Sequence, residues 1–263
     1  MKPDFKHEKV YIYGKHALVE ALTSAPGSVK KVFLAQHDLE IENLATKHKI
    51  SVQIKLDPAF SRTERDAVHQ GVIGLISIEN IVQTYDEFIK NLKIGPDTCI
   101  AVLGELQDPH NVGAVIRSAA AMGLAGILIP ERNQAPVTGA VVKVSAGMAF
   151  RIPLVSIGNV NLALRDLKDR GFWTYGLDGE AKLSINDEKF DSPTVFILGN
   201  ESKGIRQKTM DLCDFPLSIP MHPRCESMNV ASSSSIAFYA WSVRHPKALN
   251  LPAVSSNLKK EGK

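Results

Sequence analysis

The sequence predicts an α/β protein, a small mixed unit followed by a larger domain built on a parallel sheet. Two observations carry this. From Thr98 onward, five short and continuously apolar runs alternate with stretches of helical spacing: CIAVLGE (99–105), GILIPE (126–131), FWTYGLD (172–178), TVFILGNE (194–201) and FPLSIPM (215–221). Strands apolar on both faces and separated by helices belong to a parallel sheet covered on both sides. Before Thr98 the chain has a different rhythm, that of a compact mixed α/β unit, and 263 residues provide enough chain for two cores.

In the first unit, residues 8–79, Tyr11–Tyr13 and Gly14 lead into HALVEALTSA, whose apolar spacing predicts a helix ending before Pro26-Gly27. Lys30–Ala35 reads as a strand and Leu39–His48 as a helix. Ser51–Leu56 is an alternating strand and Gly71–Ile78 a buried one. None of these elements has the residue chemistry of a catalytic site, so the unit reads as a binding or packing module. Residues 80–97 read as a connector, with a short amphipathic helix over Tyr85–Leu92 and a turn at Gly95-Pro96-Asp97. The main domain is expected over 98–245 and a disordered tail over 246–263.

Composition excludes several classes. No run approaches the ~20 apolar residues of a membrane span, and Met1–Lys9 is polar rather than signal-like, so a cytoplasmic protein without membrane attachment is expected. The three cysteines, Cys99, Cys213 and Cys225, form no CxxC pair, and His222 with Cys225 lacks a second ligand pair, so no metal is expected. The net charge of +3 arises mainly in the tail, where residues 244–263 hold 5 Lys/Arg against 1 Asp/Glu. Global charge therefore gives no argument for nucleic-acid binding, which needs clustered cations.

In parallel sheets ligands collect beyond the carboxyl ends of the strands, and three polar segments fall there. In QDPHNVGAVIRSAAAM (107–122), Asp108 is a good N-cap with Pro109 at the first helical position, and Ala114–Ala121 continues the helix. Asn111 lies in its first turn. Arg117, among small residues, is either a surface cation or a guanidinium facing a pocket. GNESKG (199–204) lacks the GxxxxGK[ST] and GxGxxG phosphate patterns; what remains is a glycine turn that points Glu201 out from a strand end. The stretch Phe215–Trp241 reads as strand, loop and helix. Its loop residues Glu226, Ser227 and Asn229 can cap the helix or hold a ligand at its N-terminal amides. KVSAGM (143–148) and the helix Asn161–Arg170, closed by Gly171, read as structural.

Taken together, NVGAVIRSA (111–119), FILGNESKGI (196–205) and SIPMHPRCESMNVA (218–231) resemble the three ordered motifs of the SpoU/TrmH family of RNA ribose 2′-O-methyltransferases. The first unit, with AVHQGV (67–72), is similar to the substrate-binding domain of the subgroup that methylates a guanosine in large-subunit rRNA, a domain like the kink-binding ribosomal proteins. The resemblance implies a parallel sheet tied in a deep trefoil knot, with Phe215–Trp241 as the threaded segment. It implies S-adenosylmethionine held by backbone groups at Leu177, Gly199, Ile219 and Met228, and homodimers with active sites at the subunit interface. It also implies a catalytic group of Asn111, Arg117, Glu201, Ser227 and Asn229. Arg117 would meet the ribose oxygen as a cation, since a guanidinium holds its proton too tightly to serve as a base. Asn111, Ser227 and Asn229 would position ribose and Arg, and Glu201 would hold the motif loops or the Arg. Three features depart from the family: Met228 stands in place of the usual Leu, a volume-similar change. The loop MHPRCE (221–226) is bulkier, which narrows the pocket mouth or adds a phosphate contact through Arg224. Ser232–Ser235 replaces a more aliphatic face. tRNA ribose methylation and a non-catalytic RNA-binding or ribosome-assembly role are the alternatives.

Overall fold

The computed structural model describes residues 10–55 and 71–249. The N-terminal unit is a four-stranded sheet in the order β1 (Val10–Tyr13), β4 (Val72–Ile76), β2 (Val29–Leu34), β3 (Ser51–Ile54). β4 runs antiparallel to both neighbours, and β2 and β3 are parallel. Two helices, α1 (Lys15–Ser24) and α2 (Leu39–Lys47), bury Leu18, Leu22, Ile41 and Ala45 against this sheet's core. Asp38 starts α2 by accepting hydrogen bonds from the amides of Glu40 and Ile41. The expected strands and helices of this unit are present within two residues at each described end. Tyr11–Tyr13, read only as a lead-in, is itself a strand. Most of AVHQGV, including His69, lies outside the described residues.

The larger sheet has eight strands, all paired in parallel, in the order β10 (Leu183–Ser184), β12 (Phe215–Ser218), β9 (Trp173–Leu177), β11 (Thr194–Leu198), β6 (Cys99–Leu103), β7 (Gly126–Pro130), β8 (Leu154–Ile157), β5 (Val82–Thr84). The five apolar runs are its β6, β7, β9, β11 and β12. Alternation along β6 and β11 sends Cys99, Ala101, Leu103, Phe196 and Leu198 to one core and Ile100, Val102, Val195 and Ile197 to the other. On the first side pack α4 (Pro109–Ala121), α5 (Gly139–Val144) and α8 (Val230–Arg244) through Val112, Val115, Val141, Phe238 and Trp241. On the other pack α3 (Tyr85–Asn91) and α6 (Val160–Asp169) through Phe88, Leu164 and Leu167. A short helix, α7 (Gln207–Met210), precedes β12. This is the two-sided cover that the continuously apolar strands predict.

The connector expected over 80–97 behaves differently. Val82–Thr84 pairs with Leu154–Ser156 at the edge of the large sheet, and α3 follows directly with a reciprocal Thr84–Glu87 capping box. These residues are part of the larger domain's packing. Pro246–Leu249, the described part of the expected tail, forms a 3-10 turn after α8. The remainder lies outside the described residues. No described helix is long and apolar enough to cross a membrane.

Candidate active site

Three strand ends converge at one place. After β6 the chain turns through Gly104–Asp108 into α4, whose N-cap Asp108 accepts from the His110 amide at 2.8 Å. In this turn Glu105 has φ +66°, a left-handed conformation that side-chain-bearing residues rarely adopt without support. The support is visible. The Glu105 carbonyl accepts from Asn200 Nδ2 at 2.8 Å, and its carboxylate accepts from Arg206 Nε and Nη2 at 3.0 and 2.8 Å.

After β11, reciprocal backbone hydrogen bonds of 2.9 Å between Asn200 and Gly204 close a tight turn, and Asn200 Oδ1 accepts from the Ser202 and Lys203 amides. Glu201 projects from this turn onto the N-terminal amides of α4. It accepts from the backbone N–H groups of Gln107 and Asp108 at 3.2 Å and from Asn111 Nδ2 at 3.0 Å. A carboxylate at a helix N-terminus is favoured by the unpaired amides and the dipole there. Burial works against its charge, but the Asn111 amide and the backbone donors outweigh that and hold the Glu201 carboxyl below its ordinary range.

After β12 the loop passes Pro220 and reaches Asn229, the N-cap of α8. Asn229 Oδ1 accepts from the Ala231 amide at 2.8 Å, and its Nδ2 donates to Asn111 Oδ1 at 2.9 Å. Capping and site-building are therefore the same side chain's work. The buried Asn111 is used at both ends of its amide, so one chain of hydrogen bonds, Glu201–Asn111–Asn229, ties the three motif segments together.

Beside this chain lies an open cavity of about 460 Å³. Leu177, Gly199, Ile219 and Met228 all line it, as do Glu201, Ser227 and Asn229. It is lined by the apolar residues Leu198, Leu217 and Val230 and by the acidic residues Asp178, Glu201 and Glu226. The size is that of a small-molecule pocket. Its mixture of apolar walls, strand-end backbone and acidic groups suits a nucleoside carrying a cationic centre. Of the other lining residues, Asp178 lies outside the residues read from the motifs, and Ser233 enters that reading only as part of the Ser232–Ser235 run. Asp178 ends an apolar run at a strand's carboxyl end, which is the signal that could have found it. Met221 and Glu226 of the bulky loop line the pocket, whereas Arg224 is exposed and does not.

Arg117 is placed apart from the others. It is exposed on α4, does not line the cavity, and has no hydrogen bond or ion pair among the described residues. Of the two partners expected for Glu201, the structure supplies the motif loops and not Arg117. The helix carrying Arg117 is joined to α8 by a 2.7 Å hydrogen bond between Ser118 and Ser235. This gives the serine run a local account: Ser233, Ser234 and Ser235 each also donate to a carbonyl one turn back.

Comparison with known proteins agrees with this geometry. The model of the SpoU rRNA Methylase family matches residues 98–239, and that of the RNA 2′-O ribose methyltransferase substrate-binding domain matches residues 11–81. The 23S rRNA (guanosine-2′-O-)-methyltransferase RlmB of Pseudomonas syringae is 33% identical over 239 residues, covering 87% of this chain and 93% of that protein. In fold, the AviRb SpoU methyltransferase of Streptomyces viridochromogenes, solved with AdoMet, superposes with a TM-score of 0.76 at 20% identity over 90% of each chain. The TrmH/SpoU tRNA modifying enzyme of A. aeolicus, with a TM-score of 0.51 at 22% identity, covers 62% of this chain and 84% of its own. The chain, with its three motif segments joined at Asn111, belongs to the SpoU rRNA methylase family.

Proposed function

We propose that this protein transfers a methyl group from S-adenosylmethionine to the ribose 2′-hydroxyl of a guanosine in large-subunit rRNA. The observation that carries the reading is the Glu201–Asn111–Asn229 chain standing at the rim of a nucleoside-sized cavity. When bound, S-adenosylmethionine supplies an activated methyl group on a cationic sulfur. Strand-end backbone at Leu177, Gly199 and Ile219 and the Met228 region would hold it, and the acidic wall suits its positive charge. Catalysis of such a displacement rests on orientation and on stabilising charge that develops on the attacking oxygen. Asn111 and Asn229, locked by each other, and Ser227 beside them, orient the ribose. Arg117 meets the oxygen as a fixed cation while the hydroxyl proton passes to solvent.

The placement of Arg117 supports a homodimer with composite active sites. Arg117 lies outside its own chain's pocket, on the α4–α8 pair, and α8 exposes Ile236, Tyr239 and Val243 along one face. A large apolar stripe of this kind fits a self-complementary interface. A second copy seated there would bring its own Arg117 to the neighbouring pocket. We further assign Phe215–Trp241 as the threaded segment of a deep trefoil knot. β12 lies on the opposite side of β9 from β11, and Asn229 is drawn back to the first motif segment, as such threading requires. The N-terminal unit, residues 8–79, binds the RNA in the manner of kink-binding ribosomal proteins. A ribosomal RNA substrate places the protein in the cytoplasm.

The test is methyl transfer from labelled S-adenosylmethionine to unmodified large-subunit rRNA and to unmodified tRNA, mapped by resistance of the modified site to alkaline cleavage. Label at one rRNA guanosine, abolished in Arg117→Ala, is expected. Label confined to tRNA would overturn the substrate. Absence of both label and donor binding would make the protein a non-catalytic RNA-binding factor.

A further inference from the structure

The N-terminal unit and the methyltransferase domain meet through a charge pair in which the carboxylate is buried and the guanidinium stays 56% exposed. Glu20, on α1 of the first unit, is only 6% exposed. Its carboxylate accepts from Arg151 of the second domain through both Nε and Nη2, the latter at 2.9 Å, and from Ser24 Oγ at 2.6 Å. Arg151 directly follows the 3-10 turn Met148–Phe150. Gly147, which opens that turn, has φ +79°, and a Cβ there would stand 2.8 and 2.9 Å from Glu20 Cγ and Cβ. Gly139, at the start of α5, is pressed against the Tyr11 carbonyl of β1, leaving no room for a side chain. The KVSAGM segment, read from sequence as structural, is thus the seat of the other domain.

Two further facts oppose a mobile, tethered domain. β4 of the first sheet ends at Ile76 and β5 of the second begins at Val82, with a 3-10 turn over Ile78–Asn80 between them. The buried apolar cluster runs without a break from Ala17, Leu18 and Ala21 of α1 to Val141, Val142, Ala149 and Phe150 of the second domain. Relative motion of domains is the default unless their interface is substantially apolar, as here. Apolar contact is non-directional, whereas a planar guanidinium gripping one carboxylate with two donors admits a single orientation.

We propose that Glu20 and Arg151 are positioning residues that lock the RNA-binding unit in one orientation, so that RNA held there reaches the methyl-transfer pocket in a fixed register. This rests on the methyltransferase reading for the delivery of RNA, but the lock itself does not. The experiment compares full-length wild type, Glu20→Arg, Arg151→Glu and the double swap, with Arg151→Lys as a milder variant that keeps charge and loses the fork. Spin labels at Gln53→Cys and Lys182→Cys, one in each domain, in a Cys225→Ser background diluted with unlabelled chain, report the interdomain distance. In parallel, kcat and KM are measured on a long unmodified rRNA fragment, with donor affinity by calorimetry.

The expected result is one narrow distance in wild type, a broadened one in each single reversal, and a narrow one again in the swap. KM for the long RNA should rise about tenfold in each reversal and return in the swap, with kcat and donor affinity within twofold throughout. Arg151→Lys should lie between. A broad distance in wild type, or single reversals that leave the distance unchanged, would overturn the lock. Broadened distances with an unchanged KM would overturn its role in delivery. If wild type transfers no methyl to rRNA, the substrate reading fails while the distances still decide the lock.

Discussion

Asn229 Nδ2 donates to Asn111 Oδ1 at 2.9 Å across 118 positions of sequence, joining the N-cap of α8 to the first turn of α4. The same Asn229 caps its own helix through Oδ1, so its two functions can be separated by chemistry. Asn229→Asp keeps an acceptor for the Ala231 amide and removes the donor to Asn111. Its thermal midpoint should stay within about 2–4 °C of wild type, since a lost cap of about 1 kcal/mol is avoided. Methyl transfer should fall about 10²-fold, because Asn111 cannot flip to compensate without abandoning Glu201. Asn229→Ala should lose both, with a cap penalty of about 1 kcal/mol. Unchanged turnover in Asn229→Asp would show that the tie between the motifs is not needed for catalysis.

Arg117 is exposed and unpaired among the described residues, so Arg117→Ala should change stability by no more than about 0.5 kcal/mol. Donor affinity should also be preserved, because Arg117 does not line the cavity. Methyl transfer should nonetheless fall by about 10²–10³-fold, the usual cost of losing a group that stabilises a developing oxyanion. Arg117→Lys should recover only part of it, having lost the planar fork.

Composite sites give a further expectation. Mixing Arg117→Ala chains with Asn229→Asp chains and allowing exchange forms heterodimers in which one pocket keeps Asn229 and receives an intact Arg117 from its partner. About a quarter of wild-type activity should return, since half of the dimers regain one of two sites. If Arg117 acts within its own chain, the mixture should remain as inactive as its components.

The parallel sheet was legible because β6, β7 and β11 are buried on both faces and their apolar runs say so directly. β5 and β8 were not. Val82-Gln83-Thr84 has no apolar run and exists as a strand only because Leu154–Ser156 lies beside it, a tertiary fact. Leu154–Ile157 is wholly buried but only four residues long, squeezed between Pro153 and Gly158. At the site, the motif order points to residues that the fold brings to one cavity, Leu177, Gly199, Ile219 and Met228 together with Glu201, Ser227 and Asn229. It could not show that Arg117 lies on a different surface, because helical spacing fixes which residues share a face and not what that face meets. The domain lock escaped notice for a related reason: Glu20 and Arg151 look like ordinary surface charges until the fold brings them together.

Glu201 provides a pH test. Burial works against its charge, but the Asn111 amide and the amides of Gln107 and Asp108 favour the charged form more and hold its folded-state pKa below the ordinary value. A depressed carboxylate pKa contributes stability that is full above the unfolded value and is lost as pH falls through the folded one. Donor affinity should be flat through neutral pH and decline only in acid below the ordinary carboxylate range, as protonation releases the first motif segment from the second. Asp178 and Glu226 also line the cavity, so wild type alone does not isolate Glu201. Glu201→Gln does: with a neutral amide on the α4 amides, affinity should already be lower at pH 8, and the remaining acid limb should be shallower. An acid limb of equal depth in both proteins would assign the pH dependence to groups other than Glu201 and leave Glu201 a purely geometric tie.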